Sequence, residues 1–175
     1  MNMEPPTHDK HGPMERAEPT LWLRRILVAV DFLPGTASAL NYAAALATEF
    51  GATVTLLHVV QLNIAGEERG VPRTQFLGEL GHAAERRLRS LARSVFKSRI
   101  ACDVEVRSGS PIEEILGAAG DCNADLILMS RHSKRWLLEL LRPSVAERVQ
   151  RAAACPVLVV GARHQPFVWR LASVS

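Results

Sequence analysis

Five short segments of the chain differ from the rest in the pattern of their apolar positions. Four of them are apolar at nearly every position, namely "RRILVAV", "TVTLLHVV", "ADLILM" and "VLVV". Segments that are apolar on both faces are typical of strands that helices cover on both sides of a sheet. The fifth segment, "IACDVEVRSG", alternates apolar and polar residues, and we predict a strand that is less buried than the other four.

Between these strands the apolar residues recur at helical spacing and predict four helices. The first ends at Gly51, which is predicted to cap it. Residues 76–98 carry one apolar stripe with steps of three and four residues. The third helix begins after Ser110, its predicted cap, and the fourth begins after Ser144, which has the capping-box spacing to Glu147. The stripe of the second helix consists of Leu77, Leu80, Ala84, Leu88, Leu91 and Val95.

The predicted elements alternate strictly, strand then helix, from the first strand to the fifth. This order favours right-handed crossovers and a doubly wound, five-stranded parallel sheet in a single α/β domain over residues 21–161. Ligands of such sheets bind outside the carboxyl ends of the strands. Asp31, Val60, Met129 and Ser130 lie at these ends, so the pattern predicts a crevice beside them.

The segments that flank this domain have a different composition. Residues 1–20 contain four prolines and few apolar residues, so we expect a disordered N-terminal tail without a secretory signal. Residues 162–175 are interpreted as a C-terminal tail. No apolar run approaches the roughly 20 residues of a membrane span, and three dispersed cysteines predict reduced, buried thiols. We therefore expect a cytoplasmic protein without membrane contacts.

Five segments together resemble the universal stress protein domain: "RILVAVDF", "VTLLHVV", "SGSPIEEI", "ADLILMSRHS" and "SVAERVQRAAACPVLVV". The resemblance covers Arg25 to Gly161 and implies a fold of the adenine nucleotide α-hydrolase-like type, with frequent homodimers. In one branch of the family, ATP binds at the carboxyl ends of strands one, two and four. The family's strand order places the last strand at a sheet edge, where an uncovered apolar strand favours pairing with a second copy. That strand consists of Val157, Leu158, Val159 and Val160.

The ATP-binding branch carries three glycines and then a hydroxyl residue after the fourth strand, and this chain has none of the three glycines. The glycine positions fall on Ser130, Ser133 and Pro143, and the hydroxyl position falls on Ser144. Glycine lets backbone N–H groups approach phosphate oxygens closely, whereas Pro143 has no N–H to donate. The resemblance also implies nucleotide contacts at Asp31, Val60, Met129 and Val145.

A local surplus of positive charge lies at this motif. The net charge is +3, but residues 131–151 alone hold six basic and two acidic side chains, which gives +4. Four cations of this segment are candidate phosphate-binding side chains, with a solvated basic surface as the alternative: Arg131, Lys134, Arg135 and Arg142. For Asp31 the two interpretations are a contact to the adenosine portion and a strand-end acid that orders the following loop.

Two hypotheses of function remain open. The first is a non-catalytic stress-response or regulatory protein, a homodimer with unknown protein clients, whose nucleotide site is lost or rebuilt and which needs no cofactor. The second is a module that binds ATP or AMP through the basic loop and hydrolyses ATP slowly. Pro143 favours the first hypothesis, and the charge of the 131–151 segment favours the second.

The remaining polar residues favour structural roles. No Ser-His-Asp, Cys-His or HExxH grouping is present, so we predict no catalytic residue and no metal site. His58 is interpreted as a buried strand histidine, and the insert Trp136–Leu141 is predicted to fold onto the domain or to meet a partner. The basic residues of the second helix predict a solvated face, and nucleic acid is not expected because no aromatic residues interleave with them. These residues are Arg86, Arg87, Arg89, Arg93 and Lys97.

Overall fold

The computed structural model of the chain describes residues 22–61, 73–131 and 144–161, and for residues 73–76 it describes the backbone alone. The predicted tails and the insert Trp136–Leu141 lie outside these ranges. The strands are Arg25–Ala29 (β1), Thr53–Val60 (β2), Cys102–Ser108 (β3), Leu126–Ser130 (β4) and Val157–Val160 (β5). The helices are Thr36–Phe50 (α1), Arg73–Phe96 (α2), Pro111–Asp121 (α3) and Val145–Ala152 (α4).

The five strands form one parallel sheet in the order β3-β2-β1-β4-β5. Ala29, the last residue of β1, pairs with Leu57 of β2 on one side and with Met129 of β4 on the other. Strands β2 and β3 lie on one side of β1 in the sheet, and β4 and β5, which follow later in the chain, lie on the other side. This topology confirms the predicted doubly wound fold and places its switch point between β1 and β4.

Helices cover both faces of the sheet and bury its apolar side chains. Ile26 and Val28 of β1 pack in the cluster with α1 and α2, and Leu27 packs in the cluster with α3 and α4. All three side chains are at most 1% exposed. This burial on both faces explains why the central strands are continuous apolar runs. The edge strand β3 has no fully buried residue, as its alternating pattern predicts.

The second helix differs from its prediction at both ends. It begins at Arg73 rather than Phe76. It ends at Phe96 rather than Ser98, because Lys97 and Ser98 have positive φ angles of 47° and 59°, which no α-helix contains.

The predicted apolar stripe of α2 is buried along only part of its length. Ala84 and Leu88 are buried, whereas Leu80 is 39% exposed. With 24 residues, α2 is about 36 Å long, while the eight residues of β2 span about 26 Å. The helix is longer than the strand that it covers, so part of the stripe has no sheet beneath it.

The two predicted serine caps have different outcomes. Ser144 forms a capping box: its hydroxyl accepts from the Glu147 N–H at 3.2 Å, and its own N–H donates to the Glu147 carboxylate at 2.9 Å. Ser110 lies at the N-cap position of α3, as predicted, but its side chain makes no cap hydrogen bond. The start of α3 is favoured instead by Pro111 and by two glutamates in the first turn.

Candidate functional site

The carboxylate of Asp31, directly beyond β1, accepts hydrogen bonds from three of the described residues. The Leu33 N–H and the Thr36 hydroxyl each donate to Oδ1 at 2.9 Å. The hydroxyl of Ser130, the last residue of β4, donates to Oδ2 at 2.9 Å. The carboxylate thereby joins the end of β1 to the start of α1 and to the neighbouring strand, at the switch point of the sheet.

The loop after Asp31 turns the chain from a strand into a helix within a few residues. An aspartate that accepts from the N–H two positions later forms an Asx turn, and Asp31 does so with Leu33. Phe32 has a φ angle of 60°, which residues other than glycine rarely adopt. The Thr36 N–H donates to the Leu33 carbonyl at 2.9 Å. This local network explains how Asp31 orders the loop, one of the two interpretations of that residue.

Gly35 and Ser130 are packed tightly against each other beside this carboxylate. A Cβ atom on Gly35 would lie 2.9 Å from Ser130 Cβ and 3.4 Å from its hydroxyl oxygen. Ser130 is only 6% exposed. A glycine at position 130 would carry neither of these atoms, so the serine both fills the space beside the start of α1 and occupies one oxygen of Asp31.

Phe32 contacts two further side chains that link α2 to the strand ends. Its ring centroid lies 4.5 Å from that of His58, with the planes tilted by 40°, and the Arg87 guanidinium carbon lies 4.3 Å from the Phe32 centroid. His58 Nδ1 lies 2.7 Å from the Val30 carbonyl oxygen. Because a carbonyl only accepts, this nitrogen carries the proton. His58 is half-buried rather than buried as predicted.

The other residues that the resemblance implies are placed differently. Val60 and Met129 are each 6% exposed at the ends of their strands. Val145 is 37% exposed on α4. Arg131 is exposed, and its N–H donates to the Val160 carbonyl at 2.7 Å. Ser133, Lys134, Arg135 and Arg142 lie outside the described residues. Of the predicted site, the structure therefore brings Asp31 and Ser130 into direct contact.

Four residues of this site were not predicted from the sequence. The role of Thr36 could have been predicted, because a hydroxyl residue at the start of a helix can donate a hydrogen bond to an aspartate at the end of the preceding strand. The roles of Gly35, Phe32 and Arg87 could not, because they depend on partners from distant parts of the chain.

The described residues show little other reactive chemistry. No three histidine, cysteine or acidic side chains within these ranges come together as metal ligands. The three cysteines are free thiols, half-buried rather than buried as predicted, because they lie at an edge strand and at element ends: Cys102, Cys122 and Cys155. Burial raises the pKa of all three thiols, and that of Cys102 to about 11. They therefore stay protonated at neutral pH and are weak nucleophiles.

The fold and the strand-end site together define a class of protein. A parallel sheet covered by helices on both faces, with an aspartate at its switch point, is a doubly wound α/β domain of the kind that places ligands at the carboxyl edge. Residues 23–161 match the Universal stress protein family, and the chain belongs to that family. None of the described helices has the length and apolar character that a bilayer crossing requires.

Relatives and solved structures agree with this assignment. The universal stress protein MJ0531 of Methanocaldococcus jannaschii is 31% identical over 141 residues, which cover 78% of this chain and 81% of the relative. The solved structure of the protein MJ0577 superposes with a TM-score of 0.70 at 28% identity, covering 83% of this chain and all of that one. A universal stress protein from Archaeoglobus fulgidus, solved in complex with dAMP, has a TM-score of 0.56 at 20% identity over 80% of this chain and 99% of its own, a likeness of fold alone.

Proposed function

We propose that this protein is a cytoplasmic, non-catalytic universal stress protein that acts as a homodimer in a stress response or its regulation. We further propose that its nucleotide site is lost or rebuilt. The observation that supports this most is the hydrogen bond from the Ser130 hydroxyl to Asp31 Oδ2 at 2.9 Å. It joins the residue at the first glycine position of the ATP-binding branch to the residue at the adenosine position.

The bond between Ser130 and Asp31 weakens the case for a nucleotide in two ways. A ligand hydroxyl that bound Asp31 Oδ2 would replace an internal hydrogen bond, and such an exchange contributes little net free energy. The Ser130 side chain also occupies volume that a glycine would leave open beside the start of α1. Pro143, at the third glycine position, removes one backbone donor for phosphate.

The non-catalytic part of the proposal is supported by how the polar groups of the site are engaged. The Asp31 carboxylate accepts bonds from the protein itself, and His58 Nδ1 donates to a backbone carbonyl. Burial raises the pKa of each cysteine thiol. A general base or nucleophile needs a group that is poised to react, and these groups have structural bonds instead.

The homodimer is supported by the contrast between the two edges of the sheet. The β3 edge carries the charged residues Asp103, Glu105 and Arg107, the composition with which proteins protect an open edge. The β5 edge has only apolar residues, and Leu158 is 38% exposed. An uncharged, partly exposed edge strand favours pairing with its symmetry mate.

A second candidate function is an ATP- or AMP-binding module that uses side chains in place of the glycines. It is favoured by the +4 charge of residues 131–151, which includes Arg131, Lys134, Arg135 and Arg142. Guanidinium and ammonium groups bind phosphate by charge-assisted hydrogen bonds. A relative by fold is described in complex with dAMP, which is in keeping with an adenine nucleotide as the ligand.

A calorimetric titration of the purified protein with ATP, ADP and AMP separates the two candidates. The lost-site proposal expects no saturable heat at micromolar nucleotide. Sub-micromolar binding that disappears on changing Arg131, Lys134 and Arg135 to alanine would support the second candidate instead. Arg148→Ala with Arg151→Ala on α4 is the control for removal of positive charge, because both arginines are exposed on that helix.

A further inference from the structure

The segment from Arg86 to Arg99 carries the densest charge of the described residues. It holds six cations and no acidic residue, although the whole protein has a net charge of only +3. All six side chains are exposed. Five of them are arginines, whose planar guanidinium groups bind carboxylates through two parallel hydrogen bonds.

Three of these arginines form a straight row on the outer face of α2. The steps from Arg86 to Arg89 and from Arg89 to Arg93 are three and four residues, which places the three side chains on one face of a helix. The core-facing row has the same steps, since Ala84, Leu88 and Leu91 are separated by four and three residues. Each arginine of the row is offset by two residues from the inner row, which is about 200° around a helix. We call Arg86, Arg89, Arg93 and the following Lys97 the basic stripe.

Neighbouring acidic side chains balance little of this charge. Among the described residues, the ion pair in the stripe joins Arg89 to Glu85 at 2.6 Å. The acidic residues of β3 point away from α2, because the alternate residues Cys102, Val104 and Val106 pack in the cluster with α2. The helix dipole favours cations in the last turn of a helix. That accounts for Arg93 but not for Arg86, which lies ten residues before the helix end.

The positive charges of the stripe also repel one another, and this repulsion does not help the protein to fold. Arg89 and Arg93 are separated by four residues within α2, and like charges at this spacing destabilise a helix. A partner with negative charge would relieve that repulsion.

From this geometry we propose that the basic stripe binds an acidic α-helical segment of a partner protein. The cations recur about once per turn, and carboxylates on one face of a helix have the same spacing, so two helices side by side can pair them in series.

Other negatively charged partners fit the stripe less well. The stripe is a single straight row of cations, whereas the phosphates of a duplex wind around its axis and therefore diverge from such a row. It carries no aromatic side chain on which single-stranded bases could stack. On the part of α2 that carries the stripe, the apolar residues Leu88, Leu91 and Val95 pack in the cluster with the sheet, so they are not available for insertion into a lipid surface. The proposal goes beyond the nucleotide question and does not depend on it.

The test is fluorescence anisotropy with a labelled synthetic helical peptide that carries glutamate on one face at steps of three and four residues. At low ionic strength the wild-type protein is expected to bind this peptide, and to bind a peptide of the same composition with its glutamates scattered around the helix more weakly. Arg86→Ala with Arg93→Ala should lower the affinity about three- to tenfold, as expected for two solvent-exposed ion pairs.

The matched control is Arg148→Ala with Arg151→Ala, which removes two exposed arginines from α4 and should change the affinity less than about twofold. Both double variants should keep the melting temperature of the wild type. Equal binding of the two peptides, or equal losses in the two double variants, would overturn the proposal. Tighter binding of short duplex DNA, or of phosphatidylserine vesicles, through Arg86 and Arg93 would also overturn it, because the partner would then belong to another class.

Discussion

Ser130 occupies space that a glycine would leave empty in front of Asp31. Its hydroxyl donates to the carboxylate, and its Cβ lies against Gly35. The methylene group and the hydroxyl of this one side chain thus account for a direct contact between β4 and the start of α1. The local fit of these residues is testable without any ligand.

Gly35→Ala is expected to destabilise the protein by about 1–3 kcal/mol, as overpacking of a filled site does. The added Cβ would lie 2.9 Å from Ser130 Cβ, so one of the two must move. In a Ser130→Gly background the same change should cost clearly less, because the opposing atoms are gone. Urea unfolding of the four proteins measures this coupling. Gly120→Ala is the control, since no atom lies within 4 Å of that position, and it should be neutral or stabilising. A Gly35→Ala loss that is the same in both backgrounds would contradict this packing.

At the scale of elements, the starts of α3 and α4 show how similar sequence signals have different structural results. Both helices follow a serine, but only Ser144 makes the cap bonds. The capping-box spacing identifies a candidate, but it does not by itself ensure that the hydroxyl bonds to the backbone.

Ser144→Ala should therefore cost about 0.5–2 kcal/mol, the usual effect of removing a helix cap. Ser110→Ala should stay within about 0.5 kcal/mol of the wild type, because its side chain makes no cap bond. Chemical denaturation of the two variants under the same conditions gives both values. Equal losses would show that Ser110 also caps its helix in solution.

Asp125, before β4, joins that strand to the start of β1. Its Oδ2 accepts from the N–H groups of Arg24 and Arg25 at 2.8 and 2.9 Å. These bonds hold the pKa of the Asp125 carboxyl below its ordinary value. A carboxyl whose pKa is lower in the folded state stabilises the fold above its unfolded pKa, and the gain is lost as the pH falls through the folded pKa.

Asp125→Asn should therefore lower stability at neutral pH, and the difference from the wild type should shrink as the pH falls below about 4. Unfolding by urea at a series of pH values measures this difference. A gap that stays constant across the series would show that the charge of Asp125 contributes nothing.

The five strands and the doubly wound parallel sheet could be predicted from the sequence, and the contact between Ser130 and Asp31 could not. The continuous apolar run of β4 reflects burial on both faces of a central strand, whereas the apolar run of the edge strand β5 has only Val160 buried. The contact between Ser130 and Asp31 joins residues 99 positions apart, and no local pattern encodes the distance between two side chains. The exposure of Leu80 was missed for a similar reason, since periodicity gives the face of a helix but not the length of the sheet beneath it.

At the scale of the whole molecule, the proposed homodimer depends on which backbone groups of β5 face the free edge of the sheet. Ile127 and Arg131 of the β4 side donate to the carbonyls of Pro156 and Val160. Backbone groups of alternate residues point to the same side of a strand. The N–H of Leu158 therefore faces β4, and the N–H of Val159 faces the free edge.

Val159→Pro is expected to give a folded monomer, because it removes a donor from the free edge and leaves the bonds to β4 in place. Ser108→Pro is the matched control on the other edge, where it removes the same kind of donor at the end of β3, and it should remain a dimer. Light scattering at micromolar concentration gives the mass, and circular dichroism confirms the fold. A wild type that is already a monomer under these conditions would refute the predicted interface.

The proposed loss of nucleotide affinity at the strand-end site is tested by one paired calorimetric titration with ATP. The two proteins are the wild type and a variant with Ser130→Gly, Ser133→Gly and Pro143→Gly. Each charge-assisted hydrogen bond to phosphate contributes about 1.5–3 kcal/mol, or roughly ten- to a hundredfold in affinity. We expect weak binding by the wild type and a gain of at least about tenfold in the triple variant. Sub-micromolar binding of ATP by the wild type, with no gain from the three glycines, would show that the site has kept its affinity for nucleotide.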